Sequence, residues 1–260
     1  MKVGWIGLGG IGKEMALRVL GAGHSLTAYD RGIGKAEVAA GGGVMVSDYP
    51  AVAREAEVLC LCLFNDDQVR DVLLDQGVLA AMQPGSVVAI HTTGSPKLAR
   101  ELGSAAPQGV SVLDACFSGG ADDTVRGDLT LMVGGDEVAL EKARPVLATY
   151  GSRISLMGPL GAGQTVKLLN NLLFATNVKQ AQDVLAIAEA QGLDPSFAAQ
   201  VICQSSGGSM AMGLMKNGVI PEMMESVRHY MVKDVKAVAD ATRDSGIDIS
   251  GFDAIIRHYS

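Results

Sequence analysis

Lys167 and Asn171 stand four residues apart in a stretch with helical patterning, so both project from one helix face. A lysine ammonium can protonate a developing alkoxide, and its amine can take a hydroxyl proton; desolvation beside a cofactor brings such a group toward the working pH. An amide one turn away can hold a substrate hydroxyl. The same pair also suits a solvated lysine beside a capping or packing asparagine, and spacing alone does not choose between them. Further upstream, Ser118-Gly119-Gly120 follows a strand expected to end at Asp114. It supplies a hydroxyl and unhindered backbone amides at a sheet edge, a combination that suits a carboxylate. A glycine-rich connection between two strands is the alternative reading of that loop.

A third constellation opens the chain. Met1-Lys2-Val3-Gly4-Trp5-Ile6 reads as a short apolar strand running into Gly7-Leu8-Gly9-Gly10-Ile11-Gly12, a G-x-G-x-x-G turn followed by helical patterning. Gly7 allows the tight turn, Gly9 lets the backbone approach a pyrophosphate, and Gly12 lets the helix pack closely on the strand. Free amides at the helix start attract phosphate charge. A second apolar run, Ser25-Leu26-Thr27-Ala28-Tyr29, ends in Asp30, about where an acid should meet the adenosine ribose. Agreement of strand, glycines, helix, strand and acid favours a dinucleotide site over a glycine turn that binds nothing.

These groups need a scaffold, and the rest of the chain supplies its pattern. Short β-rich runs at Val3–Ile6, Leu26–Tyr29, Val44–Val46, Val58–Leu63, Val87–Ile90, Val110–Leu113, Leu129–Val133 and Arg153–Leu156 alternate with helical segments. Such alternation indicates a mostly parallel, doubly wound sheet. At Gly158-Pro159-Leu160-Gly161-Ala162-Gly163 the texture changes to a long helical pattern, about 164–191, and beyond Gly192-Leu193-Asp194-Pro195 the chain reads as almost entirely helical. The expected fold is an α/β Rossmann-type N-terminal domain, residues 1–160, with an all-α C-terminal domain, residues 161–260, joined by a long interdomain helix. Lys167 and Asn171 would then face a cleft at the hinge.

Composition narrows the function. The 260 residues carry a net charge of −7 and no basic stretch, which argues against nucleic acid as a partner. The longest apolar run, Val58 to Phe64, is too short to cross a bilayer, and the N-terminus has no charged and apolar leader; a soluble cytoplasmic protein is expected. Cys60 and Cys62 share one face of a strand while Cys116 and Cys203 stand alone, a pattern of buried thiols rather than disulfides or metal ligands. His24, His91, His229 and His258 lack ligand spacing, so no metal is implied.

Taken together, the motifs resemble the β-hydroxyacid dehydrogenases, the group of 3-hydroxyisobutyrate dehydrogenase, tartronate semialdehyde reductase and their 6-phosphogluconate dehydrogenase relatives, over nearly the whole length. The residues that carry the resemblance are Gly7 to Gly12 with Met15-Ala16 and Ala22-Gly23-His24; Leu63-Phe64-Asn65-Asp66; His91-Thr92-Thr93-Gly94-Ser95-Pro96; Asp114 to Gly120; Gly161 to Asn171; and Lys233-Asp234. The resemblance implies NAD as cofactor, with NADP admitted by Arg31 beside Asp30, and a cofactor site that includes Leu63, Phe64, Asn65, Thr93 beside the nicotinamide ribose, and Lys233. It implies Lys167 as the catalytic lysine, Asn171 as the residue orienting the substrate, and Ser118, Gly119 and Gly120 as the carboxylate loop. The implied reaction interconverts a small β-hydroxy acid, or a related anion such as a hydroxyalkylphosphonate, with its aldehyde or ketone, in a homodimer or homotetramer. Imine reduction is a rival that Lys167 argues against, because imine reductases usually carry another residue there; a non-catalytic NAD(P)-binding sensor is the rival from another class. Departures from the family pattern are Cys116-Phe117, where proline and a small aliphatic residue are usual, and Ala121-Asp122-Asp123-Thr124, which puts two carboxylates beside the expected anion loop. The chain also ends at Ser260, before the family's last helices.

Overall fold

The first strand, β1 (Lys2–Ile6), shows how the sheet is built: Val3 and Trp5 enter the core on one face and Ile6 on the other, the period-two pattern of a strand buried on both sides. In the computed structural model the described residues are 1–29, 31–32, 34–217 and 221–259, the side chains of 221–227, 229–230 and 243–245 excepted. Each run read as a strand forms one: β2 (Ser25–Tyr29), β3 (Val44–Met45), β4 (Val58–Leu61), β5 (Val87–Ile90), β6 (Ser111–Ser118), β7 (Leu129–Gly134) and β8 (Gly151–Gly158) follow. They make one eight-stranded sheet in the order β3-β2-β1-β4-β5-β6-β7-β8. All neighbouring pairs run parallel except β6 and β7.

Of the strand ends that differ from the expectation, two shape the site. β4 stops at Leu61 rather than Leu63, because the Leu63 amide turns out of the ladder to donate to the Thr92 hydroxyl at 2.8 Å. β6 does not end near Asp114. Asp114 pairs with Ile90, the last residue of β5, and the next four residues continue against antiparallel β7 as far as the Ser118–Thr130 pair. Ser118 therefore closes a strand that overhangs the parallel part of the sheet, rather than opening a loop.

The chain divides into two compact units, Met1–Lys167 and Leu168–Ser260. The division falls inside the long helix Ala162–Ala190, later than the sequence boundary at 160, because the helix start is tied to the sheet. The buried Asp114 carboxylate accepts the Gly161 amide at 2.7 Å and the Gln164 amide at 2.6 Å, capping the helix from inside the first unit. Gly163 permits this approach: a Cβ there would lie 2.7 Å from the Asp114 carbonyl oxygen.

The second unit is helical where described, with Pro195–Cys203, Met210–Leu214, Pro221–Ser245 and Asp253–His258 following the long helix. Asp194 caps the first of these, with Pro195 in its first turn. Its core is a helical stripe of Leu168, Leu172, Ala175, Val178 and Leu185, joined by Met212, Val235 and Tyr259. No helix among the described residues is long and apolar enough to cross a membrane.

Candidate functional site

The glycine turn behaves as its spacing requires. Gly7 has φ of +96°, which a side chain would strain, and a Cβ on Gly12 would collide with the Gly7 carbonyl and lie 3.0 Å from the Cys62 Cβ. Gly9 and Gly10 differ, because a Cβ on either would meet no atom within 4 Å. The packing of the protein does not itself require glycine at either position. The helix Gly10–Gly21 starts at Gly9 with no side-chain cap, so its first amides face outward to receive an anion such as a pyrophosphate. These residues fit a dinucleotide.

Beneath this turn lies a buried polar network that the sequence did not disclose. The Trp5 indole N–H donates to the Gly7 carbonyl at 3.1 Å, and its ring stacks on His91 with centroids 6.0 Å apart. His91 Nδ1 donates to the Ala115 carbonyl at 2.6 Å, the Tyr150 hydroxyl donates to His91 Nε2 at 3.0 Å, and the Cys60 thiol lies 3.8 Å from that hydroxyl. Burial lowers the His91 pKa to about 4 and raises that of Cys60 to about 12, so both remain neutral near pH 7.

The segment around Thr93 is held from several sides. Gln164 Nε2 donates to the Thr92 carbonyl and Gln164 Oε1 accepts the Gly94 amide, each at 2.8 Å. The Asp66 carboxylate accepts the Ser95 amide at 2.9 and 3.1 Å. Thr93 itself is half-buried. Of the residues expected beside it, Phe64 is exposed, and the Asn65 side chain accepts the Gln68 amide at 3.0 Å as a helix cap, so its oxygen is already engaged. Arg31 is exposed, and Asp30 lies outside the described residues.

The overhang of β6 brings Phe117 beneath one predicted residue, Lys167. The Lys167 ammonium stands 6.0 Å from the centroid of the Phe117 ring, and Phe117 adjoins Ser118. The unusual aromatic at 117 thus lies beneath the lysine. Beyond Ser118 the loop is less open than its glycines suggest. The Gly120 amide donates to Asp123 Oδ2 at 2.7 Å, and Asp123 also pairs with Arg126, while Asp122 is exposed. Asp123 is therefore a local cap for the short helix Ala121–Arg126. Burial pushes the Asp114 carboxyl above its ordinary range, and the amides of Gly161 and Gln164 that it accepts pull it back.

In the second unit, Asn171 Nδ2 donates to Asp234 Oδ2 at 2.6 Å, and Asp234 is buried. Its Oδ1 lies 3.3 Å from the Lys233 ammonium without the geometry of a hydrogen bond. Asp234 was visible in sequence only as part of a dipeptide; its hold on Asn171 is the role that spacing could not show. Among the described residues no cluster of three or more His, Cys, Asp or Glu could hold a metal ion.

Comparison with known proteins matches the two halves separately. Residues 2–158 fit the model for the NAD binding domain of 6-phosphogluconate dehydrogenase. Residues 161–258 fit the model described as NAD-binding of NADP-dependent 3-hydroxyisobutyrate dehydrogenase. An NAD-dependent L-serine dehydrogenase from Pseudomonas aeruginosa is 37% identical over 94% of this chain and 86% of its own length. Among solved structures, 3-hydroxyisobutyrate dehydrogenase from Mycobacterium tuberculosis with L-serine has a TM-score of 0.89 at 29% identity, covering 99% of this chain and 92% of that one. A further structure, Psf3 in complex with NADP+ and 2-OPP, has a TM-score of 0.81 at 28% identity, covering 92% of this chain and 86% of that one.

Proposed function

We propose that this chain, which belongs to the 3-hydroxyisobutyrate dehydrogenase-like family of NAD-dependent hydroxyacid dehydrogenases, interconverts a small β-hydroxy acid with its aldehyde or ketone and uses Lys167 to carry the hydroxyl proton. The observation that carries this reading is the position of the Lys167 ammonium over Phe117, the residue that precedes Ser118 in the chain, on the first turns of a helix capped by Asp114. A proton carrier must be held in place to be efficient, and this lysine is on a rigid element. When bound, the nicotinamide accepts or supplies the hydride at the carbinol carbon. In oxidation the Lys167 amine takes the hydroxyl proton; in reduction its ammonium returns it. Ser118 and the Gly119 amide anchor the substrate's anionic end, Gly120 keeps that space clear, and Asn171, held by Asp234, orients the hydroxyl. Gly7 to Gly12 hold the pyrophosphate, and Asp30 holds the adenosine ribose and favours NAD over NADP.

The L-serine named for one relative and one structural neighbour makes it a first substrate to try here, beside 3-hydroxyisobutyrate and a hydroxyalkylphosphonate. The test is formation of reduced cofactor over this panel with NAD+ and with NADP+. Turnover with a β-hydroxy carboxylate, at higher kcat/KM with NAD+, is the expected result. Tight cofactor binding without hydride transfer to or from any member would return the chain to the class of non-catalytic sensors.

A further inference from the structure

A single side chain brackets Thr93. The Gln164 amide donates to the carbonyl before this residue and accepts the amide after it, each at 2.8 Å, as a neighbouring strand would. Gln164 is 3% exposed, and its backbone amide is bound to Asp114. Its side chain therefore joins the first turn of the long helix to the 92–95 segment, which is itself held to the 63–66 segment by the Thr92 hydroxyl and the Asp66 carboxylate. Lys167 follows Gln164 by three residues, about one turn along that helix. A leucine or methionine could fill the same volume without needing buried polar partners, so the amide contributes direction as well as packing.

We propose that Gln164 is a positioning residue for the reaction: its amide fixes the backbone on both sides of Thr93 against the helix turn that carries Lys167, so one group sets both the ribose contact and the proton carrier. This rests on the roles given above to Thr93 and Lys167. Gln164 does not touch the reacting atoms. Its loss should appear in turnover and leave the pyrophosphate site, built on other residues, largely alone.

The experiment compares Gln164→Met, which keeps length and loses both hydrogen bonds, with Gln164→Glu. In Gln164→Met, amide hydrogen exchange at Gly94 should quicken by about tenfold or more, as expected for losing a buried hydrogen bond of about 1.5 kcal/mol. Its kcat should fall about 10- to 100-fold through misplacement of the reacting groups, with NADH affinity changed less than about threefold. A neutral glutamic acid can donate its O–H to the Thr92 carbonyl and accept the Gly94 amide, whereas its carboxylate cannot donate. The ratio of Gln164→Glu to wild-type kcat should therefore rise on acidification, while the ratio for Gln164→Met stays flat. Unchanged exchange at Gly94 would overturn the clamp. Wild-type kcat in Gln164→Met, or a pH-independent ratio for Gln164→Glu, would overturn the positioning role. Absence of hydroxy-acid turnover in the wild type would instead sink the proposed function, and the exchange measurement would still judge the clamp.

Discussion

The glycine loops that follow β1 and β6 differ in what stands beside their glycines. After β1, Gly9 and Gly10 face open space, and the helix behind them starts with no side-chain cap. After β6, Gly120 also has room for a Cβ, whose nearest neighbour, Asp123 Oδ2, would be 3.9 Å away, but its amide is already taken by that carboxylate. The same residue type at the same kind of edge thus serves two states. In the proposed reading the first loop would receive the pyrophosphate of the cofactor, and the second keeps an internal acid where the exchanging substrate would dock.

The largest effect expected from this contrast lies under the first loop, where Trp5 rests on His91. The fold keeps His91 neutral to about pH 4, whereas in the unfolded chain it titrates near 6.5. As pH falls through that window the unfolded chain gains a proton that the fold refuses, so stability declines by roughly 3 kcal/mol and then levels off. Urea midpoints of wild type and His91→Gln across the window should show the steeper acid loss in wild type. Equal slopes would mean that His91 carries no such linkage.

A pair of alanines separates what the fold needs from what the ligand needs. Gly12→Ala forces the turn apart and should weaken NADH binding by about a hundredfold while lowering Tm, since overpacking costs on the order of 1–3 kcal/mol. Gly9→Ala should weaken binding by about tenfold at nearly unchanged Tm, because its Cβ meets only the space the cofactor fills. Titration by NADH fluorescence with parallel melting curves checks both. Equal losses of Tm would deny the distinction.

Smaller effects belong to the second loop. Gly120→Val should raise substrate KM by about tenfold and leave NADH affinity alone, as expected for a steric cost near 1.4 kcal/mol. Asp123→Ala removes a cap worth about 1 kcal/mol and frees the Gly120 amide. KM for a carboxylate substrate should then fall by about threefold, a gain of well under 1 kcal/mol. A rise in KM on losing Asp123 would show that the acid helps to hold the substrate.

What the sequence made legible follows from distance along the chain. The glycine turn, the eight strands and the Gly161–Asn171 helix start are local patterns, and each forms where read, although several strand ends, β4, β6 and β8 among them, are shifted. Asp114 and Gln164 looked like ordinary motif members because their partners are remote: Asp114 binds Gly161, 47 residues on, and Gln164 binds Thr92, 72 residues back. Asn65, expected at the cofactor site, also carries a cap signal, since its oxygen meets the Gln68 amide three residues later. Asp123 carries a comparable short-range signal, an acid three residues after a glycine at a helix start. Phe117 gave none, because its lysine neighbour is brought to it only by the overhang of β6.

If Lys167 moves the proton while other residues hold the cofactor, Lys167→Ala separates the two functions. Single-turnover oxidation of the best β-hydroxy acid, measured beside NADH affinity, should show hydride transfer slowed by about 10²- to 10⁴-fold with affinity within about threefold of wild type. An added primary amine small enough to enter should restore part of the rate. Hydride transfer at the wild-type rate in Lys167→Ala, with substrate and cofactor saturating, would show that Lys167 does not carry the proton.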